Sequence, residues 1–152
     1  MKIFNKKTAL IFLGAVFLFC LDRYLKFLSL NYFLNHDLSL IGNFFHFSFA
    51  ENQGIAFSLL INQNFLVFLI GMILAGLVFY SRKLFLRQDF LNLSFVILII
   101  FGALSNLYDR IIFGFVIDYL DLKYFTVFNL ADVMIFFGVI LLVWFETRAI
   151  KQ

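Results

Sequence analysis

Four carboxylates stand close together in a chain that otherwise carries little charge. Asp109, Asp118, Asp121 and Asp132 all lie within residues 106–132, although the 152 residues contain only nine Asp and Glu. Charged side chains are costly at membrane depth, so in an apolar chain they mark a functional site by default. Two aspartates held close cannot both ionise cheaply and therefore share a proton. One then activates water as a base while the other donates to a scissile carbonyl, and we expect Asp118 and Asp132 to form this pair.

The other reactive side chains are poorly placed for alternative chemistry. Neither His36 nor His46 is near Ser58 or Ser105 in the sequence, so a serine nucleophile would lack an adjacent base. Both histidines are isolated, which favours a structural or surface role over zinc binding. Cys20 has no partner for an internal disulfide and no companion at a metal-ligand spacing. We therefore expect neither a metal nor another cofactor.

Intramembrane charges have a second common use, which is transport. Asp, Arg and Lys within membrane spans are equally natural in a small transporter or a proton relay. From the residues alone, the hydrolase and the transporter therefore remain equal alternatives.

The composition is that of an integral membrane protein. Hydrophobic residues make up 64% of the chain, charged residues 14%, and the mean hydropathy is +1.00, whereas about a quarter of a soluble domain is charged. Four spans of about 20 residues leave little chain for a separate module, so a single domain over residues 1–152 is predicted. The approximate spans are residues 8–28, 61–80, 90–109 and 127–146.

The basic residues predict the topology. Eight of the twelve Lys and Arg flank the apolar runs, which is the positive-inside pattern and indicates no nucleic-acid partner. Residues 31–63 contain no Lys or Arg, so this loop is predicted outside the cytoplasm. The eight flanking residues are Lys2, Lys6, Lys7, Arg82, Lys83, Arg87, Arg148 and Lys151.

The first apolar run, from Ala9 to Leu21, follows three lysines, as the core of a secretory signal peptide also does. A cleavage site of small residues is missing, however, and three further hydrophobic runs follow. We therefore expect this segment to be kept as the first span, in which Asp22 and Lys26 share a helix face and can form a pair.

The outer loop contains a strand pattern and a polar turn. Phe45, Phe47 and Phe49 alternate with polar residues, which predicts a short strand with one aromatic face. That face fits two roles equally, a cradle for a lipidic or extended substrate and simple packing onto the helices. Asn52 and Gly54 belong to a polar turn, in which the Asn52 amide is also a possible donor to a peptide backbone or a carboxylate.

Span lengths place the polar groups at a common depth. The apolar core of the fourth run is too short to cross a bilayer unless Asn129 and Asp132 are drawn into the helix. At about 1.5 Å per residue, Asp22, Asn106 and Asp132 lie roughly 20–24 Å from the cytoplasmic ends of their spans. This is about two-thirds of the way across a 30 Å core, and we expect one shared polar site there.

These residues fall in five ordered motifs that resemble those of the lipoprotein signal peptidases (signal peptidase II), a family of bacterial intramembrane aspartic peptidases. The resemblance implies an all-α membrane protein with four transmembrane helices, a small extracytoplasmic sheet and both termini in the cytoplasm. We also expect a monomer in the bacterial cytoplasmic (inner) membrane, with its active site near the outer face. The motifs are Asp22 to Lys26, ENQGIAFS at 51–58, GALSNLYDR at 102–110, GFVIDY at 114–119 and FNLAD at 128–132.

By this resemblance the catalytic aspartates are Asp118 and Asp132. The implied reaction removes the signal peptide from a prolipoprotein by cleavage before its diacylglyceryl-modified cysteine, so the expected partners are that precursor and membrane lipid. Asn52 and Asn129 would hydrogen-bond the substrate or the pair, and Arg110 with Asp109 would brace the third helix against the outer loop. The supporting residues implied by the family are Asp22, Lys26, Asn52, Gly54, Asn106, Asp109, Arg110, Asn129 and Ala131.

Three features depart from the family pattern. Ser105 stands where the family usually has glycine, and Ile55 stands where it commonly has alanine. The segment joining Asp118 to Asp132 is also short. We expect these departures to affect the packing around Asn106 and the size of the substrate cleft.

Overall fold

A computed structural model describes residues 6–54 and 63–149. Ile55, Ser58 and the rest of the motif after Gly54 lie outside these residues. The elements in chain order are α1 (Lys6–Tyr32), β1 (Leu38–Ile41), β2 (Phe45–Asn52), α2 (Gln63–Leu86), α3 (Phe90–Phe113), β3 (Val116–Leu122), β4 (Val127–Phe128) and α4 (Leu130–Ala149).

Three helices of the described segments are long and apolar enough to cross a membrane. They are Gln63–Leu86, Phe90–Phe113 and Leu130–Arg148, with hydropathies of 2.1, 2.1 and 2.0. Many of their large apolar side chains are exposed, which is expected of surfaces that face lipid. The protein is therefore a membrane protein. α1 is also long, at 27 residues, but its second half carries charged side chains.

The four strands form a small antiparallel sheet in the order β1-β2-β3-β4, which confirms the predicted sheet. The register between β2 and β3 shifts between Phe47 and Ala50, and Ala50 then pairs with Asp118. At this irregularity the Ser29 hydroxyl of α1 donates to the Ser48 carbonyl at 2.7 Å. α1 therefore holds the sheet at the strand that pairs with β3.

The aromatic face of β2 packs inward at its centre. The Phe47 ring is buried and lies 5.0 Å from the Phe33 ring and 5.3 Å from the Tyr119 ring. At least this member of the alternating set therefore contributes to packing against β3 and against Phe33, the residue after α1.

The sheet lies at one end of the helices. Gly114 follows α3 with a left-handed φ of 80°, a conformation that glycine adopts without strain, and its N–H donates to the Arg110 carbonyl. This turn sends the chain directly from α3 into β3. α4 begins immediately after β4, so α3, the sheet and α4 converge at what we call the sheet end.

Candidate active site

Asp118 lies near the start of β3 and is only 2% exposed. Its two carboxylate oxygens accept from different asparagines, one from Asn52 Nδ2 at 2.9 Å and the other from Asn129 Nδ2 at 2.5 Å. Asn52 is the last residue of β2 rather than part of the turn after it. Both oxygens of this carboxylate are therefore held by amide donors.

Asp132 lies in the first turn of α4 and is partly exposed. One carboxylate oxygen accepts from Asn106 Nδ2 of α3 at 2.8 Å, and the other accepts from the Asn129 backbone N–H at 3.4 Å. The positive end of the helix dipole also favours a negative charge in this first turn.

Asn129 contacts both aspartates at once. Its amide nitrogen donates to Asp118, while its side-chain oxygen accepts from the Asp132 backbone N–H at 2.9 Å. The residue stands before α4 and caps it, as Asn commonly does, instead of being drawn into the helix as the span length suggested. The cap fixes Asp132 on the helix and places the remaining amide on Asp118.

A buried ion cluster supports the asparagine on α3. Lys26 Nζ lies 2.7 Å from Asp109 Oδ2 and 3.3 Å from Asp22 Oδ2, and none of these side chains is exposed. Lys26 also donates to the Asn106 Oδ1 at 2.7 Å. Because a lysine can only donate, this contact turns the amide nitrogen of Asn106 toward Asp132.

Asp109 and Arg110 connect the end of α3 to the sheet in different directions. Asp109 Oδ2 accepts from the Ile117 backbone N–H on β3 at 3.2 Å. Arg110 donates to the Gly54 carbonyl at 2.7 Å, just beyond β2. Together they attach α3 to the strand that carries Asp118 and to the segment that follows Asn52.

Asp22 receives hydrogen bonds from three other elements. Its carboxylate accepts from Ser105 Oγ of α3 at 2.5 Å, from Tyr119 OH of β3 at 2.8 Å and from the Ala131 backbone N–H of α4 at 3.1 Å. Ser105, at the position where glycine was expected, thus adds a donor to the buried network.

Nine of the eleven residues predicted for the site form one network of hydrogen bonds and ion pairs. Arg110 and Gly54 form a separate contact beside it. Asp121, also on β3, is partly exposed and has no hydrogen bond or ion pair from its side chain in the described part of the chain. The nine connected residues are Asp22, Lys26, Asn52, Asn106, Asp109, Asp118, Asn129, Ala131 and Asp132.

Three members of the network were missed from the sequence. Ser105 and Tyr119 both bind Asp22, and Arg23 forms an ion pair with Asp109 while its guanidinium lies 4.4 Å from the centre of the Tyr108 ring. The arginine had a usable signal, because it is a charge beside Asp22 in an apolar run. The two hydroxyls had none, since single Ser and Tyr residues are common in any helix or strand.

The surroundings of Asp118 favour a proton on its carboxyl group near neutral pH. Burial, together with the negative charge of Asp132, raises the pKa of Asp118 from its ordinary 3.8 to about 7, against the opposing hydrogen bonds from Asn52 and Asn129. A carboxyl group with this pKa can exchange a proton with a substrate at neutral pH. Over residues 6–54 and 63–149, no three His, Cys, Asp or Glu side chains are grouped as metal ligands.

A family model described as Signal peptidase (SPase) II matches residues 3–148. The chain belongs to the signal peptidase II family. Signal peptidase II enzymes are aspartic peptidases of the membrane, so the chain is a peptidase and its reaction is removal of signal peptides from prolipoproteins.

Individual relatives agree with this membership. The lipoprotein signal peptidase of Moorella thermoacetica is 41% identical over 133 residues, which cover 86% of this chain and 87% of that one. The lipoprotein signal peptidase of Clostridium novyi is 34% identical over 140 residues, with coverage of 88% and 94%. A solved bacterial membrane enzyme, determined by the in meso method at 2.3 Å resolution, shares 26% identity and a TM-score of 0.81, covering 95% of this chain and 90% of its own.

Proposed function

We propose that Asp118 and Asp132 are the catalytic carboxylates of this peptidase and that it cuts the precursor immediately before the diacylglyceryl-modified cysteine. The observation that carries the proposal is the double contact of Asn129, which binds the Asp118 carboxylate and caps the turn that holds Asp132. Two acids from different elements, β3 and α4, are thereby attached to one side chain. Asn52, Asn106 and the ion cluster behind them act on this pair as supports.

The chemistry follows from one proton shared by two acids. The ionised carboxylate takes a proton from water as the water oxygen forms a bond to the scissile carbonyl carbon. The protonated carboxyl group gives its proton to the carbonyl oxygen. When the tetrahedral intermediate collapses, the C–N bond breaks and the new amine receives the proton taken from water. The proton that the carbonyl oxygen had received returns to the pair.

The course of the chain supports an arrangement of four spans, in which α1 joins the three apolar helices. α1 ends and α4 begins at the sheet end, so the other ends of these two helices lie at the opposite end. The turn between α2 and α3 lies at that opposite end too. Arg82 and Lys83 stand near the end of α2, and Arg87 lies in the turn itself. By the positive-inside rule this end is cytoplasmic, which puts the site near the outer face of the inner membrane.

The same placement suits a lipid-modified substrate. Acyl chains on the precursor cysteine would enter the bilayer beside the lipid-facing helices and hold the scissile bond at the level of the pair. We also propose a single domain over residues 1–152 that works as a monomer, with the diacylglyceryl precursor and membrane lipid as its partners.

The decisive experiment incubates the purified protein with a diacylglyceryl precursor and measures the product by mass. We expect cleavage before the modified cysteine. Asp118→Asn and Asp132→Asn keep the size of each side chain but remove the acid, so each should lower kcat by at least about a thousandfold while the protein still inserts and folds. Asp121→Asn is the matched control on the same strand and should cleave within about twofold of the wild type.

Two results would overturn this assignment. Retained cleavage by either Asp118→Asn or Asp132→Asn would remove that residue from the chemistry. A product mass that corresponds to cleavage at another bond would refute the proposed cut before the modified cysteine.

A further inference from the structure

The first three backbone N–H groups of α4 are all bound by side chains. The opening N–H groups of a helix have no partner within the helix and need one from elsewhere. The Leu130 N–H donates to Tyr119 OH at 3.0 Å, the Ala131 N–H to Asp22 Oδ1 at 3.1 Å, and the Asp132 N–H to Asn129 Oδ1 at 2.9 Å. Only the last of these acceptors is the local cap. The other two belong to β3 and α1, so the start of α4 is tied to distant parts of the chain.

Tyr119 connects the β3 backbone next to Asp118 with the α4 backbone near Asp132. It follows Asp118 directly on β3, and successive strand residues point to opposite faces, so its ring enters the protein while the Asp118 carboxyl group faces the asparagines. The ring is fully buried and packs against Phe47. Its hydroxyl accepts from Leu130, which lies two residues before Asp132.

The hydroxyl of Tyr119 is itself held in one orientation. It donates to Asp22 Oδ1 at 2.8 Å, which leaves its lone pairs directed at the Leu130 N–H. Burial raises the pKa of the Tyr119 hydroxyl far above its ordinary value, so it remains a donor. Asp22 is fixed in turn by Ser105 Oγ at 2.5 Å and by Lys26 at 3.3 Å. α1 and α3 therefore determine where the Tyr119 hydroxyl can lie.

We propose that Tyr119 is a positioning residue for the aspartate pair: its hydroxyl, oriented by Asp22 and Ser105, holds the first turn of α4 against β3 and so fixes the separation of Asp118 and Asp132. This inference rests on the proposed catalytic pair. The tyrosine acts through the backbone of both elements and through Asp22, and it does not touch the substrate.

The test is Tyr119→Phe, which removes one oxygen and keeps the ring that packs on Phe47. A misplacement of about 1 Å at a reacting pair can cost about a hundredfold in rate, so we expect kcat to fall roughly ten- to a hundredfold. KM should stay within about twofold, because no substrate contact is removed. Tyr124→Phe is the matched control, since Tyr124 is 81% exposed, and it should leave both constants unchanged.

A double-mutant cycle separates positioning from general packing. If Tyr119 acts through Asp22, then Asp22→Asn combined with Tyr119→Phe should lower kcat little more than the worse single variant. Ser105→Ala should lower the same constant by a smaller factor. Should Asp22→Asn fail to fold, Tyr119→Phe alone decides the question.

The outcomes that count against Tyr119 differ from those that count against the pair. A Tyr119→Phe enzyme with wild-type kcat, even one that unfolds at a lower temperature, would show a purely structural tyrosine and overturn the inference. A loss confined to KM would also overturn it. Activity retained by Asp118→Asn in the same assay would instead refute the proposed pair.

Discussion

The two ends of the helix bundle are held together by different kinds of buried residue. At the sheet end the buried side chains include Asp22, Lys26 and Asp109, each with partners from other elements. At the opposite end, α2 and α3 bury Leu84, Leu93 and Val96 as an apolar cluster. Apolar side chains gain little by leaving lipid for a protein interior, whereas an unpaired polar group in that interior is costly. Among the described residues, the buried Asn92 and Ser94 at the apolar end bond only to residues at the start of α3. The contact between elements at that end therefore depends on packing, while the polar end requires one particular arrangement of partners from several elements.

The largest difference in activity and stability between the two ends should appear when one buried side chain is replaced at each end. Lys26→Met leaves Asp22 and Asp109 buried without their shared cation, and breaking a buried ion pair costs about 3–5 kcal/mol. It also frees the Asn106 amide that faces Asp132. We expect this variant to lose both cleavage and most of its resistance to thermal unfolding.

Leu84→Ala is the matched change at the apolar end. It should lower the unfolding temperature by opening a cavity, yet leave kcat within about twofold of the wild type. Lys26→Met with wild-type cleavage would show that the ion cluster does not support the pair. Lost cleavage in Leu84→Ala would show that the two ends are not independent.

The polar end was the easier of the two to predict from sequence. Charges within apolar runs are conspicuous, so Asp22, Lys26 and Asp109 could be identified without knowledge of the fold. The span length also indicated Asn129 and Asp132, although it placed Asn129 inside the fourth helix, whereas the residue caps α4. Hydropathy indicated the three long apolar helices, α2, α3 and α4, although each of them ends beyond the predicted span.

What the sequence could not provide was the contacts between elements. In the sequence, Tyr119 looks like an ordinary core residue of a strand. Its role depends on the register of β3 and on where α4 starts. The Ser105 hydroxyl matters only because α3 brings it to Asp22. The shift in register between Phe47 and Ala50, which sets where Asp118 lies opposite β2, likewise leaves no mark in the alternation of β2.

A smaller effect distinguishes two glycines at the contact between α3 and α4. A Cβ at Gly102 would lie 2.6 Å from the Ala131 carbonyl oxygen, which belongs to the first turn of α4. This oxygen belongs to the backbone and can move only with the helix turn around it. Gly102→Ala should therefore displace the turn that carries Asp132. We expect kcat to fall about tenfold, measured on the purified enzyme.

Gly138→Ala is the matched change, and it lies about 10 Å along α4 from Ala131. A Cβ there would lie 2.6 Å from Ile99 Cγ1 and 3.1 Å from the Phe95 carbonyl oxygen, away from the pair. It should lower stability but leave kcat within about twofold. Equal losses of kcat in the two glycine variants would contradict the idea that the start of α4 is the sensitive contact.

The mildest perturbation, a change of pH, should act on the polar end through Asp118. The pKa of this carboxyl group is raised from 3.8 to about 7, chiefly by burial and then by the charge of Asp132. Above about pH 7 the pair loses its shared proton, so kcat/KM should fall, approaching tenfold per pH unit.

Stability should follow the same ionisation with a defined sign. A raised pKa in the folded state means that the folded protein binds the proton more tightly, so stability is greatest below about pH 4 and is lost as the pH rises to about 7. At about 1.36 kcal/mol per pKa unit the change amounts to at most about 4 kcal/mol. Unfolding measured against pH for the wild type and Asp118→Asn isolates this residue, because the part of the decline that Asp118 causes should be missing from the variant. Parallel curves for the two proteins would mean that Asp118 does not hold a proton at neutral pH, and the acid of the pair would have to be sought on α4.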